Sequence, residues 1–290
     1  MNADPAQNDK KGNQRWVVVS GASGGIGANL TCHLLEAGYR VVGTARTLEA
    51  LEEFEHEDFH PLKLNLSDSG AVQDAAAQIL KLCGDDLFCL INNAAYAQPG
   101  AVEDLSRTAL EQQFAVNVFG THQLTTLLLP ALHRGGGGRL INISSILGLV
   151  AFPWQGAYNA SKFALEGLTD TLRLELAGSA VQVSTIEPGP IRSRFRSRAL
   201  DEFKRGIDAQ QSRHADSYAR VSAYYAASEH PTPFTAAPDA VWKRVDHALH
   251  SRRPRPRYLV TFPAYALAFL RRILPVRAMD ALLRKLGSMR

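Results

Sequence analysis

Cysteine is scarce in this 290-residue chain. Cys32, Cys83 and Cys89 form an odd, unclustered set, which argues against a disulfide scaffold and a zinc knuckle and leads us to expect a reducing compartment. The nine histidines are scattered without ligand spacing, so no metal is expected and a metal hydrolase is disfavoured. No apolar run reaches the roughly 18 residues that suggest a membrane span. Residues 1–15, MNADPAQNDKKGNQR, contain no apolar segment of the secretory type. Residues 1–14 are read as a flexible tail, and the expected location is cytoplasmic. A composition of 46% hydrophobic and 21% charged residues speaks against extensive disorder and collagen.

Charge is nearly balanced overall, at +4, but not along the chain. Residues 251–290 carry ten Lys and Arg side chains against the single acid Asp280. Everything before them is mildly acidic. The basic residues accompany no nucleic-acid module, so no nucleic-acid partner is expected. They leave a surface suited to anionic lipid at the inner face of a membrane.

Short β-rich runs alternate with helical stretches. Strands are expected at Trp16–Ser20, Tyr39–Thr44, Phe59–Leu64, Leu87–Ile91, Leu140–Ile143, Val181–Ile186 and Tyr258–Thr261. Helices are expected at Ile26–Ala37, Asp68–Leu82, 107–132, Tyr158–Ala177 and 238–250. Such alternation describes a parallel sheet covered on both faces. Residues 190–234 hold no convincing strand and suggest two short helices in a lobe at the sheet edge.

The first strand runs into Gly21-Ala22-Ser23-Gly24-Gly25-Ile26-Gly27 at a helix start. Backbone N–H groups there can hold a diphosphate, and glycine permits close approach. A tight α/β turn with no ligand is the competing reading. No Gly-Lys-Ser/Thr follows, which disfavours a nucleoside-triphosphate loop. At the end of the second strand, Gly43-Thr44-Ala45-Arg46 lacks the carboxylate that would repel an adenosine 2′-phosphate. Arg46 can pair with that phosphate, so NADP(H) is expected over NAD(H); a solvated surface arginine is the alternative.

Tyr158 and Lys162 lie four apart on one helix face. An ammonium beside a phenol stabilises the phenolate, and such a tyrosine can exchange a proton with a carbonyl oxygen. Ser144-Ser145, at the mouth of the fifth strand, stands where ligands bind in parallel α/β sheets. Asn117 falls inside a helical stretch although asparagine is a poor helix former. It is either a satisfied core polar group or the holder of a water linking Lys162 to solvent.

Ordered motifs from residue 15 to about 262 resemble the short-chain dehydrogenase/reductases. The glycine turn with Ser20 before it, Asn92-Asn93-Ala94-Ala95, and Pro188-Gly189 followed by Ser193 are similar to that family's cofactor elements. Asn117, Ser145, Tyr158 and Lys162 match its catalytic tetrad; Ser145 is preferred to Ser144 because the family serine lies thirteen residues before the tyrosine. The stretch from Tyr158 to Gly167 looks most like the branch acting on steroids, retinoids and other lipophilic alcohols or ketones.

The resemblance implies an α/β, Rossmann-like, doubly wound parallel sheet of seven strands flanked by helices. It would form one catalytic domain over 15–262, with 190–234 as a small helical substrate lobe and 263–290 as a basic amphipathic helical extension. Tyr158 would act as general acid or base, Lys162 would lower its pKa and bind the nicotinamide ribose, Ser145 would orient the carbonyl, and Asn117 would support a proton relay. Gly21, Ser23, Gly24, Gly25, Ile26, Gly27, Arg46, Asn65, Leu66, Asn93, Ala94, Ala95, Pro188, Gly189, Ile191 and Ser193 would join Tyr158 and Lys162 around the cofactor. Asn65 replaces an adenine-contacting aspartate but keeps a carbonyl acceptor. Leu147, Phe152, Trp154 and Phe195 would join Ser145 and Tyr158 at a lipophilic carbonyl or alcohol substrate, with Tyr218, Tyr224 and Tyr225 as weaker candidates. A homodimer or homotetramer is implied.

Between Pro263 and Pro275 the chain reads Tyr265, Ala266, Leu267, Phe269, Leu270, Ile273 and Leu274 among arginines, and a second short helix spans Val276–Leu286. Packing on the protein, with added peripheral membrane contact through 263–290, is the favoured reading; a subunit contact is another. An NADP(H)-dependent oxidoreductase leads the functional readings. A cofactor-binding regulatory or scaffold protein and a non-redox epimerase or dehydratase on the same fold are the alternatives.

Overall fold

The computed structural model describes residues 15–227 and 234–288. The expected tail, 1–14, lies outside the described residues. Seven parallel strands form one sheet in the order β3-β2-β1-β4-β5-β6-β7. They are β1 (Trp16–Ser20), β2 (Arg40–Ala45), β3 (Phe59–Lys63), β4 (Leu87–Asn92), β5 (Arg139–Ile143), β6 (Gln182–Pro188) and β7 (Arg257–Val260).

Helices cover both faces: α1 (Gly25–Glu36) and α8 (Asp239–His250) on one, α2 (Ser69–Cys83), α4 (Thr121–Arg134) and α5 (Gly156–Glu175) on the other. β1 shows why its run of valines is a strand. Val17 and Val19 pack with Leu30, Leu34, Val241 and Val245, while Trp16 and Val18 pack with Val72, Ile79, Leu124 and Leu128. Alternate side chains thus enter opposite cores, so every position is apolar. This is the doubly wound, Rossmann-like architecture expected, with strand order reversing between β1 and β4.

Boundaries shift by a residue or two for identifiable reasons. Asp68 caps α2 rather than belonging to it, its Oδ1 accepting from Gly70 N at 2.9 Å and Ala71 N at 3.1 Å. The expected helix over 107–132 is three segments: α3 (Arg107–Phe114), a π-helical turn (Ala115–Gly120) and α4. The lobe contains α6 (Phe195–Gly206) and α7 (Ala215–Ala226); residues 228–233 of that stretch lie outside the described residues. The C-terminal segment forms α9 (Phe262–Ile273) and α10 (Val276–Ser288). Among the described residues no helix is long and apolar enough to cross a membrane. Cys83 and Cys89 are buried and Cys32 is exposed, all three as free thiols.

Candidate active site

The glycine turn between β1 and α1 is shaped by close approach. Gly21 takes a left-handed φ of 69°, and a Cβ there would stand 2.8 Å from Ala94 Cα. At Gly27 a Cβ would lie 2.0 Å from the Gly21 carbonyl oxygen and 2.6 Å from Asn93 Nδ2. Asn93 Nδ2 donates to the carbonyls of Ser20 and Gly21, both at 3.0 Å. The N–H groups of Asn93 and Ala94 donate to Ser20 Oγ at 2.9 and 3.0 Å. The segment after β4 therefore locks the turn in shape, and Ala95 follows directly.

The chain after β6 closes over the same turn. Gly189 N donates to Val260 O at 3.0 Å, and Ile191 packs beside Ile26 against the core. Ser193 stands against Gly25. Arg194 Nη2 donates to Ser23 O at 3.3 Å and lies over Gly24. Sequence reading missed this arginine, because the loop register after Pro188 is invisible without the fold. Arg46 is exposed at the end of β2. The repulsion of Arg194 and Arg46 adds to burial in lowering the pKa of Arg198, so the three guanidinium groups act on one another electrostatically. Positive charge from Arg194 beside a glycine cradle suits the diphosphate of a nucleotide cofactor. Asn65 is exposed, and its Oδ1 accepts from Ser67 N at 3.2 Å and Ser67 Oγ at 2.9 Å. The acceptor expected for adenine is thus already engaged. Leu66 is buried, with its carbonyl oxygen against Gly120.

The chemical end lies past β5 and on α5. The Ser145 hydroxyl lies near the Tyr158 hydroxyl and favours its ionised form. Ser145 Oγ also accepts from Leu147 N at 3.1 Å, whereas Ser144 faces the Glu166 carboxylate. Lys162 Nζ donates to the Ile143 carbonyl at 2.8 Å and stands 5.8 Å from the Tyr158 ring centroid. Burial pushes the Tyr158 hydroxyl up to about 12, opposed by the nearby Ser145 hydroxyl. Burial brings Lys162 down to about 8, opposed by the Glu166 carboxylate. The expected lowering of the tyrosine is outweighed here by desolvation, because the ammonium is directed at β5 rather than at the phenol oxygen.

Asn117 sits in the π-helical turn. Its Nδ2 donates to Tyr96 O and Ser161 Oγ, both at 3.0 Å, and its Oδ1 accepts from Tyr96 N at 3.2 Å. The side chain is a satisfied buried polar group that ties α5 to the segment after β4.

Behind Lys162 lies a charge cluster that the sequence did not reveal. Arg257 bridges Glu166 at 2.7 Å, Glu187 at 2.5 Å and Asp170 at 2.5 Å. Three carboxylates share one guanidinium, and burial raises Glu187 to about 7. Around Tyr158, Leu147 and Phe152 pack with Val221, Tyr225, Leu267, Met279 and Leu283, with Trp154, Phe195 and Tyr224 at the margin. Phe195 meets the Tyr158 ring edge-on at 5.4 Å. Tyr218 packs edge-on against Trp154, with ring centroids 5.8 Å apart. Its hydroxyl is bonded to Asp104 and accepts from Ala101 N at 2.9 Å, a structural role in the lobe. Met279 and Leu283 were also missed; α10 carries apolar and arginine positions together, and only the fold shows which face is covered.

A glycine-cradled anion site at the switch point of a doubly wound sheet, with a buried Tyr–Lys–Ser group beside it, defines a nicotinamide-dependent oxidoreductase scaffold. Residues 15–203 match the family described as short chain dehydrogenase. The chain is 37% identical over 271 residues to the oxidoreductase YbbO of Escherichia coli (strain K12), covering 93% of this chain and 94% of the relative. It is 31% identical over 286 residues to an NADPH-dependent 3-dehydrocapnine reductase of Ornithobacterium rhinotracheale, covering 93% and 96%. A solved short chain dehydrogenase from Burkholderia cenocepacia J2315, in complex with NADP, superposes with a TM-score of 0.72 at 27% identity over 93% of this chain and 98% of that one. The chain belongs to the short-chain dehydrogenase/reductase family, whose members are oxidoreductases that bind a nicotinamide cofactor.

Proposed function

We propose that the protein is an NADP(H)-dependent oxidoreductase acting on a lipophilic ketone or aldehyde, or on the corresponding secondary alcohol. The observation that carries this reading is the position of Tyr158, buried near the Ser145 hydroxyl and packed with Leu147 and Phe152. Burial favours the protonated phenol, the form that donates to a carbonyl oxygen during reduction. Ser145 holds the same oxygen in place. Lys162 supplies positive charge beneath, and Asn117 positions Tyr96 and Ser161 around it. The bound cofactor supplies the hydride. Arg46 at the end of β2 supports NADP(H) over NAD(H), as does the NADPH dependence of the 3-dehydrocapnine reductase relative.

The same reading takes 15–262 as the catalytic domain with its substrate lobe at 190–234, working in the cytoplasm. Exposed Phe119, Phe163, Leu168 and Leu174 offer a face for a homodimer or homotetramer. The exposed Phe262, Tyr265, Phe269, Ile273 and Val276 support peripheral contact with a membrane through 263–290. The test is carbonyl-dependent NADPH oxidation across a panel of lipophilic ketones and aldehydes. Turnover that falls by about 10²–10⁴ in Tyr158→Phe, with NADPH binding retained, is the expected result. NADPH binding without turnover on any member would favour a regulatory role instead.

A further inference from the structure

A cavity lies away from the glycine turn, between β7, α8 and α9. Its volume is about 470 Å³, inside the range of roughly 300–1,000 Å³ that small-molecule sites occupy. Its wall carries Arg244, Arg255, Arg257, Arg271, Arg272 and Tyr265, with Glu187 as the single carboxylate. That carboxylate is already engaged by Arg257. Among the described residues, the other four arginines have no carboxylate in ion-pair contact. Arg244 Nη2 donates to Tyr265 Oη at 3.4 Å, and Arg271 donates to the Leu149 carbonyl; both are neutral acceptors. Four like charges around one cavity repel each other unless an anion joins them, and guanidinium forks match phosphate oxygens.

The cavity borders an apolar stripe. Phe262, Tyr265, Phe269 and Ile273 recur along α9 at steps of three and four and are all exposed, and the exposed Val276 opens α10. Tyr265 belongs to both the stripe and the cavity wall. Aromatic and aliphatic groups beside unpaired arginines form the pattern that seats in a bilayer interface with its cations at the headgroups. A second copy of the chain meeting this face across a two-fold axis would set arginine against arginine, which disfavours it as occupant.

We propose that this cavity is a second binding site, which takes the phosphate group of an anionic phospholipid while the α9 stripe lies in the membrane interface. This rests on the membrane contact proposed above and adds the ligand chemistry and the residues that recognise it.

The test uses the full chain and vesicles of phosphatidylglycerol or phosphatidylcholine. Expected is co-sedimentation with phosphatidylglycerol that soluble glycerol phosphate displaces at constant ionic strength. The double variant Arg255→Gln/Arg272→Gln should bind these vesicles about 30-fold more weakly, since each basic side chain at an anionic surface contributes roughly fivefold. Its NADPH affinity should be unchanged, which shows that it is folded. Arg252→Gln/Arg253→Gln, which removes exposed arginines outside the cavity wall, should change binding no more than about twofold, well short of the loss for two groups at a headgroup site. Equal losses in the two double variants would overturn the cavity site and leave membrane contact standing. Loss of vesicle binding in Phe269→Ser/Ile273→Ser but not in the cavity variant would do the same. Binding of glycerol phosphate without vesicle binding, abolished in the cavity variant, would keep a phosphate site and overturn its lipid source. Binding of neither ligand would overturn both readings.

Discussion

The Lys162 ammonium donates to the Ile143 carbonyl at 2.8 Å, which pins a side chain of α5 to the end of β5. This contact places the lysine one helical turn beyond Tyr158 and orients its charge along the sheet edge. Burial brings its pKa down to about 8, against the opposing pull of Glu166. The charged form therefore predominates below pH 8 and is lost as pH rises through it. Reduction that depends on the ammonium should show kcat/KM falling above pH 8, and Lys162→Met should abolish that limb of the pH profile along with most of the activity.

Stability should depend on pH in a direction unusual for a carboxylate. Glu187 is raised from 4.5 to about 7, chiefly by burial and then by Glu166, with Arg257 acting the other way. The folded state therefore holds a proton that the unfolded state has released between those values. Stability falls as pH rises through that window and carries the full penalty above pH 7. The shift corresponds to a penalty of order 3 kcal/mol. Denaturant unfolding at pH 6 and pH 8 should show the protein more stable at pH 6, and Glu187→Gln should flatten the difference.

Gly27→Ala should remove nucleotide binding. The added Cβ would fall 2.0 Å from the Gly21 carbonyl oxygen, a backbone atom that cannot swing aside. Isothermal titration should show no NADPH binding, and thermal unfolding should show a loss of at least about 1–3 kcal/mol, the usual range for an overpacked interior. Gly167→Ala, inside α5, is the control, since nothing lies within 4 Å of a Cβ there and its backbone is not left-handed.

Cofactor choice should reverse at Arg46. Arg46→Asp places a carboxylate where a ribose 2′-hydroxyl can donate and a 2′-phosphate is repelled. NADPH affinity should fall by about 10–100-fold, the range for loss of a charge-assisted hydrogen bond, while NADH affinity holds or improves. Arg194→Ala should weaken both nucleotides, because Arg194 lies over Gly24 and Ser23 rather than at the end of β2.

The strands were legible because burial on both faces requires continuous apolar runs, as in Val17–Val19. The glycine turn and the Tyr158–Lys162 pair were legible because their spacing is local. Other features depend on residues far apart in the chain. Arg194 reaches Ser23 across most of the molecule, and Arg257 gathers carboxylates from α5 and β6. The π-helical turn at Ala115–Gly120 leaves apolar residues on both sides in helical rhythm, so periodicity reads one helix. Asn117, a poor helix former, was its only local sign. On α9 and α10, arginine and apolar residues alternate too closely for the covered face to be read before packing is known.

The three thiols differ in a way that makes the protein convenient for spectroscopy. Cys83 and Cys89 are buried, with burial raising both, Cys83 to about 12. Cys32 is exposed on α1, the helix whose first turn carries the glycine cradle, and burial with nearby Glu36 and Glu53 raises it more modestly. A maleimide fluorophore should therefore attach at one position, slowly but selectively. From there it would sit two turns along the helix that receives the nucleotide, so cofactor binding could be followed optically with the native set of cysteines.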